Sequence, residues 1–185
     1  MGVNLYRKLF HIFWGLFLFL LSFYISSLYF SLILILLLFF ISLFEIIRLF
    51  YPDYLPLKCL WQPLLKEEEK RKISDAWFFI TGVIISWFLL ELQYFQLILL
   101  ILTFSDTFAS LIGSLIGKRK FKTNKTLEGS FTFLITTLIL CLLYFNSFDF
   151  YILIFCLSIT ITEAFTKRDN LWISVIGSLY LKILS

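Results

Sequence analysis

Apolar residues run almost without a break from residue 9 to residue 50, about two bilayer widths of helix, so this stretch must reverse direction. The pattern places the reversal near Tyr24–Ser31 and predicts two spans. Further apolar stretches lie near 76–91, 94–112, 130–146, 149–165 and 171–184. The third span is short and the seventh shorter still. A crossing needs roughly 20 mostly apolar residues, so the pattern predicts an all-α integral membrane protein of about seven transmembrane helices. One membrane-embedded domain, residues 1–185, accounts for the whole chain.

All three prolines, Pro52, Pro56 and Pro63, fall between the second and third spans, where the sequence turns amphipathic and ends in the charged run Lys66–Lys72. This predicts a surface segment at headgroup level, anchored by Trp61 and its leucines. The first apolar stretch merges into the second without an A-x-A-like cleavage site, so a removable signal peptide is not expected. The chain shows no internal repeat and no low-complexity linker.

Composition sharpens this picture: 61% of residues are hydrophobic and only 15% charged, a balance that excludes an ordinary soluble domain. Cys59, Cys141 and Cys156 are odd in number and have no ligand-like spacing, so reduced packing residues are expected rather than a disulfide or metal framework. Charge sets the orientation. With the N-terminus inside, the cytoplasmic side receives Arg7, Lys8, Arg48, Lys58, Lys66, Lys70, Arg71, Lys72, Lys118, Arg119, Lys120, Lys122, Lys125, Lys167 and Arg168, which is all 16 Lys and Arg except Lys182. Glu91, Asp149 and short neutral turns mark the other side.

Ionisable groups are costly near hydrocarbon, and this topology gathers nearly all of them on one face. Arg7, Lys8 and His11 open the first span; Glu45 and Arg48 close the second; Glu163 and Asp169 bracket the end of the sixth. Asp106 lies in the fourth span seven residues before Gly113, roughly 10 Å below the cytoplasmic end of that helix. Ser105, Ala109, Gly113 and Gly117 form a small-residue stripe that lets another helix approach, and binding of a ligand is the other reading of its glycines.

A loop rich in Lys and Arg, Lys118 to Lys125, leads into Thr126-Leu127-Glu128-Gly129-Ser130 at the start of the fifth span. Helix starts favour anions, and a glycine lets a phosphate approach the main chain, so the loop suits a polyphosphate. Setting topology or touching anionic lipid is the other reading of the same charges. Gly113-x-x-x-Gly117-Lys118-Arg119 is not a P-loop, being one residue short between glycines and lacking Ser or Thr after Lys. Carboxylates beside a basic pocket suit a Mg²⁺–nucleotide complex. His11 reads either as a functional imidazole or as a headgroup-level packing residue. Glu45 and Arg48 read either as site groups or as a self-satisfying pair.

The strings RKLFH (Arg7–His11), E-x-x-R (Glu45 to Arg48), SDTFASLIGSLIGK (Ser105–Lys118), NKTLEGS (Asn124–Ser130) and TEA followed by DNLWI (Thr162–Ala164, Asp169–Ile173) together resemble the membrane-bound polyprenol kinases, a group that includes dolichol kinase, phytol kinase and the CTP-dependent diacylglycerol kinase. Lys66-x-x-Glu69 with Ser74-Asp75-Ala76 resembles the family's R-x-x-E and T-G-A element, with Lys for Arg and Asp for Gly. The resemblance implies transfer of the γ-phosphate of CTP to the hydroxyl of a lipid alcohol, with Mg²⁺, at the cytoplasmic face of a cell membrane if the source is prokaryotic.

It implies Asp106 and Asp169 as metal ligands, and Arg7, Lys8, Arg48, Gly113, Gly117, Lys118, Lys125, Thr126, Gly129, Ser130 and Asn170 around the nucleotide. Glu45, Ser105, Lys66 and Glu69 are expected in support. Glu163, Glu128 and His11 are the candidate acceptors of the hydroxyl proton. The partners expected are the lipid alcohol, the nucleotide and the bilayer, and no nucleic acid. Two alternatives stand beside this. CDP-diacylglycerol synthases share D-x-x-A-x-x-x-G (Asp106 to Gly113) and K-T-x-E-G (Lys125 to Gly129) but release pyrophosphate. A transporter for phosphorylated lipid would also want a basic, carboxylate-lined cavity, usually with paired repeats.

Overall fold

Two adjacent serines interrupt the first apolar run. In the computed structural model, which describes residues 5–121, 123 and 125–184, helix α1 (Leu5–Tyr24) ends just before Ser26, whose extended backbone starts helix α2 (Ser27–Phe50). The reversal thus falls within the expected window. Helix α3 (Asp75–Leu89), α4 (Leu92–Ile116), α5 (Leu127–Phe145), α6 (Phe150–Phe165) and α7 (Asp169–Leu184) follow. Among the described residues there is no β-strand, only an isolated bridge between Lys120 and Thr126. α5 stops at Asn146, which adopts the left-handed conformation that its short polar side chain tolerates at a helix C-terminus.

Four helices, α1, α2, α4 and α5, are long and apolar enough to cross a membrane. α3, α6 and α7 have 15, 16 and 16 residues, short of the usual crossing length. α4 is the axis: 61% of its apolar window is buried against 17% for α2. Its neighbours approach through small residues. A Cβ at Gly15 of α1 would lie 2.0 Å from Thr103 Oγ1, and one at Gly129 of α5 would lie 2.8 Å from the Ala109 carbonyl oxygen. α5, α6, α7, α3 and α2 then pack in succession around it.

The α4 helix is not uniform. Residues Ile101–Ser105 form a π turn, directly before Asp106. The segment between α2 and α3 is a chain of single turns (Pro52–Tyr54, Lys58–Trp61, Gln62–Leu64 and Glu67–Arg71) instead of a continuous amphipathic helix, because prolines restart it. Trp61 leans on Phe44 of α2, while Leu57 and Leu60 remain exposed. Cys141 and Cys156, distant in sequence, bring their sulfurs to 3.8 Å between α5 and α6 as free thiols, and Cys59 is exposed elsewhere.

The two ends of the bundle differ in chemistry. One end is tied by neutral groups, Gln96 donating to Ser22 and Trp87 to Ser31. The other end collects the N-termini of α1, α3, α5 and α7 and the C-termini of α2, α4 and α6, together with nearly all ion pairs.

Candidate functional site

Alternating helix direction brings residues far apart in sequence to the charged end. Lys8, near the start of α1, reaches Asp106 of α4, Nζ to Oδ2 3.0 Å. The pair is nearly sealed, with side chains 8% and 14% exposed. Lys125, just before α5, bridges Glu163 of α6 (2.7 Å) and Asp169 of α7 (2.6 Å). Ser130 donates to the second oxygen of Glu163 at 2.8 Å. Burial disfavours the Lys125 ammonium, but the carboxylates of Asp169, Glu163 and Asp106 outweigh it and hold Lys125 above the ordinary lysine range. The two ion-paired groups therefore share one electrostatic neighbourhood. His11 is within electrostatic range of Lys8, Asp106 and Asp169, its Nε2 3.0 Å from the Leu102 carbonyl oxygen in the π turn.

A second charged group adjoins the first. Asp75, at the start of α3, is shared by Arg7 (3.5 Å), Arg168 (3.7 Å) and Lys66, whose ammonium is in direct contact with it. Arg168 also covers the Phe78 ring at 4.1 Å and donates to the Ile73 carbonyl. Glu69 stands beside them with Oε1 sealed from solvent and without a hydrogen bond. Burial pushes the Glu69 carboxyl up to about 7, with the Asp75 carboxylate adding to the shift and Lys66 opposing it. Arg7 and Lys8, adjacent in sequence, serve different groups; so do Arg168 and Asp169.

Several residues expected at the nucleotide take other positions. Arg48 is 4% exposed and spends its donors on Glu45 (2.5 Å) and the carbonyls of Glu69 (2.8 Å) and Lys72 (2.6 Å). Glu45 also accepts from the Ser74 backbone N–H. The Glu45–Arg48 pair thus fastens the 66–74 segment to α2, in line with the self-satisfying reading of the pair, and leaves Arg48 Nε sealed without a partner. The glycines follow the packing reading. Gly113 and Gly129 lie where α4 and α5 touch, and the Gly129 N–H is already held by the Thr126 hydroxyl as an N-cap at 3.1 Å. A Cβ at Gly117 would collide with the Gly113 carbonyl oxygen and with Thr126.

Glu128 interacts with the backbone N–H groups of Lys118 and Arg119, holding the basic loop against the start of α5. Lys118, Arg119 and Lys120 are exposed. Ser105 accepts from Thr137 at 3.0 Å and joins α4 to α5. Lys122 and Asn124, parts of the basic loop and the NKTLEGS string, lie outside the described residues. Sequence reasoning undervalued Asp75, read as a departure from a family glycine. The signal was there: Arg7, Lys66 and Arg168 converge on the same end and need a carboxylate.

Among the described residues no three His, Cys, Asp or Glu side chains gather as a metal site. Mg²⁺ needs less from a protein, since one or two carboxylates plus substrate phosphates suffice. Asp106 and Asp169 are donors of that kind, and the neighbouring Asn170 has its Oδ1 sealed and without a partner. At present Lys8 and Lys125 neutralise those carboxylates. Compared with known proteins, the chain matches no family model, no curated protein and no solved structure. The likeness to lipid kinases therefore rests on the short motif strings.

Proposed function

We propose that this chain is a membrane-embedded lipid-alcohol kinase, transferring the terminal phosphoryl group of a nucleoside triphosphate to the hydroxyl of a polyprenol, phytol, related isoprenoid or diacylglycerol. The observation that carries this reading is the meeting of Lys8–Asp106 with Lys125–Glu163–Asp169, from five separate parts of the chain, at one end of an apolar bundle. Such groups are costly there unless they bind something charged. A long-chain alcohol stays in the bilayer and a nucleotide stays in water, so the two meet at headgroup depth, the level of this site.

In this reading all seven helices cross the bilayer with the N-terminus cytoplasmic. The alternation of charged and neutral helix ends supports it, and local thinning of the bilayer accommodates the short α3, α6 and α7. Lys8 exchanges Asp106, and Lys125 exchanges Asp169 while keeping Glu163, for phosphate oxygens, and exposed Lys118, Arg119 and Lys120 draw the polyanion in. Ser130 and Lys125 keep Glu163 oriented. Mg²⁺, held by Asp106 and Asp169 with Asn170 beside them, would neutralise phosphate charge. Catalysis is then mostly positioning and charge neutralisation. The choice of CTP comes from the motif resemblance.

Purified protein given a panel of lipid alcohols with CTP or ATP tests the proposal. A phosphorylated lipid together with nucleoside diphosphate is expected. A nucleotidyl lipid with pyrophosphate would replace the kinase by a cytidylyltransferase, and movement of phosphorylated lipid without any transfer would replace it by a transporter.

A further inference from the structure

The chain contains a single histidine, and the structure constrains its chemistry. His11 Nε2 lies 3.0 Å from the Leu102 carbonyl oxygen. A carbonyl only accepts, so Nε2 carries the proton, and the neutral ring keeps its lone pair on Nδ1. Leu102 belongs to the π turn Ile101–Ser105. The ring is also fixed edge-on against Phe79, centroids 4.7 Å apart. Among the described residues none bonds to Nδ1, which leaves its lone pair uncommitted to them.

Of the other two acceptors, Glu163 receives Lys125 on one oxygen and Ser130 on the other, and Glu128 is turned to the loop backbone with its Oε2 sealed from solvent. The charged groups facing His11 are Lys8 from its own helix, Asp106 from α4 and Asp169 from α7. These are the groups placed around the nucleotide. We propose that His11 Nδ1 accepts the proton of the lipid hydroxyl during phosphoryl transfer, with the π turn fixing the tautomer that makes this possible. The inference rests on the lipid-kinase reading. In the step, the lipid O–H bond breaks and its proton goes to Nδ1. The lipid oxygen bonds the terminal phosphorus, the bond from that phosphorus to the bridging oxygen breaks, and nucleoside diphosphate leaves. The imidazolium then returns its proton to water.

The test combines kinetics with nitrogen-15 NMR of the single imidazole in the full-length protein in nanodiscs. His11→Gln keeps an N–H for Leu102 but has no basic nitrogen. Its kcat is expected to fall at least about 100-fold with the nucleotide KM within about twofold, and imidazole is expected to restore turnover to His11→Ala. NMR is expected to find the Nε2–H tautomer. Wild-type turnover in His11→Gln, or an Nδ1–H tautomer, would overturn the inference while leaving the kinase standing. A wild type inactive on every lipid alcohol would remove the kinase reading and this inference with it.

Discussion

Lys8 and Asp106 neutralise each other inside the bundle, and neither is easily spared. Removing one partner of a buried pair strands the other charge, at a cost of roughly 3–5 kcal/mol. Lys8→Met is therefore expected to lower unfolding stability in detergent by about that amount, and adding Asp106→Asn is expected to recover most of it; additive losses would contradict the pairing. Asp106→Asn alone is expected to reduce lipid phosphorylation at least about 100-fold with helical content unchanged by circular dichroism. Near-normal activity would remove Asp106 from the site. Gly129→Ala places a methyl 2.8 Å from the Ala109 carbonyl oxygen and is expected to cost about 1–3 kcal/mol. At this scale the sequence was a partial guide. An aspartate inside an apolar helix announces itself through the expense of its burial, so Asp106 was legible. Its partner was not, because Lys8 and Asp106 stand 98 residues apart and only the helix packing selects Lys8 over its neighbour Arg7.

Elements carry a different kind of information. The apolar runs located the long helices within a few residues, since span length follows from bilayer thickness. α4 proved longer than expected. It runs to Ile116, and its last helical stretch of 11 residues begins at Asp106, which places the carboxylate about 15 Å from the helix end. The π turn left no mark in the pattern, because Ile101–Ser105 reads like any other apolar helix. The pairing of Arg48 with Glu45 was one of the two readings their spacing offered, but that spacing gave no sign that the carbonyls of Glu69 and Lys72 close on the same guanidinium.

The surface segment docks through groups that titrate. Glu69 is raised from 4.5 to about 7, so the docked form binds a proton more tightly than the released form. Docking is then strongest below about pH 4.5, weakens as pH rises toward about 7, and levels off above it. Proteolysis and hydrogen exchange of residues 62–74 are expected to be faster at about pH 8 than at about pH 5.5, and Glu69→Gln is expected to flatten the difference. Equal rates in the wild type at both values would count against the buried carboxyl.

For the whole molecule, the asymmetry between a sparsely charged end, with Glu91, Asp149 and Lys182, and a densely charged end is the organising fact. The sequence carried it as a bias in Lys and Arg, and the bundle converts that bias into paired groups in space. Four of its helices are long and apolar enough to cross a membrane. α3, α6 and α7 were harder to read, because 15 or 16 residues suit a buried soluble helix as well as a short span. Their ends nevertheless deliver Asp75, Glu163 and Asp169 to the same place as Lys8 and Lys125. The proposed meeting of an aqueous nucleotide with a membrane alcohol at that end can be tested in sealed vesicles of known orientation containing a lipid alcohol, with γ-labelled CTP supplied from one side at a time. Label is expected to enter the lipid phase only when the nucleotide faces the side that exposes Lys118, Arg119 and Lys120. Transfer from the opposite side, or from neither, would contradict it.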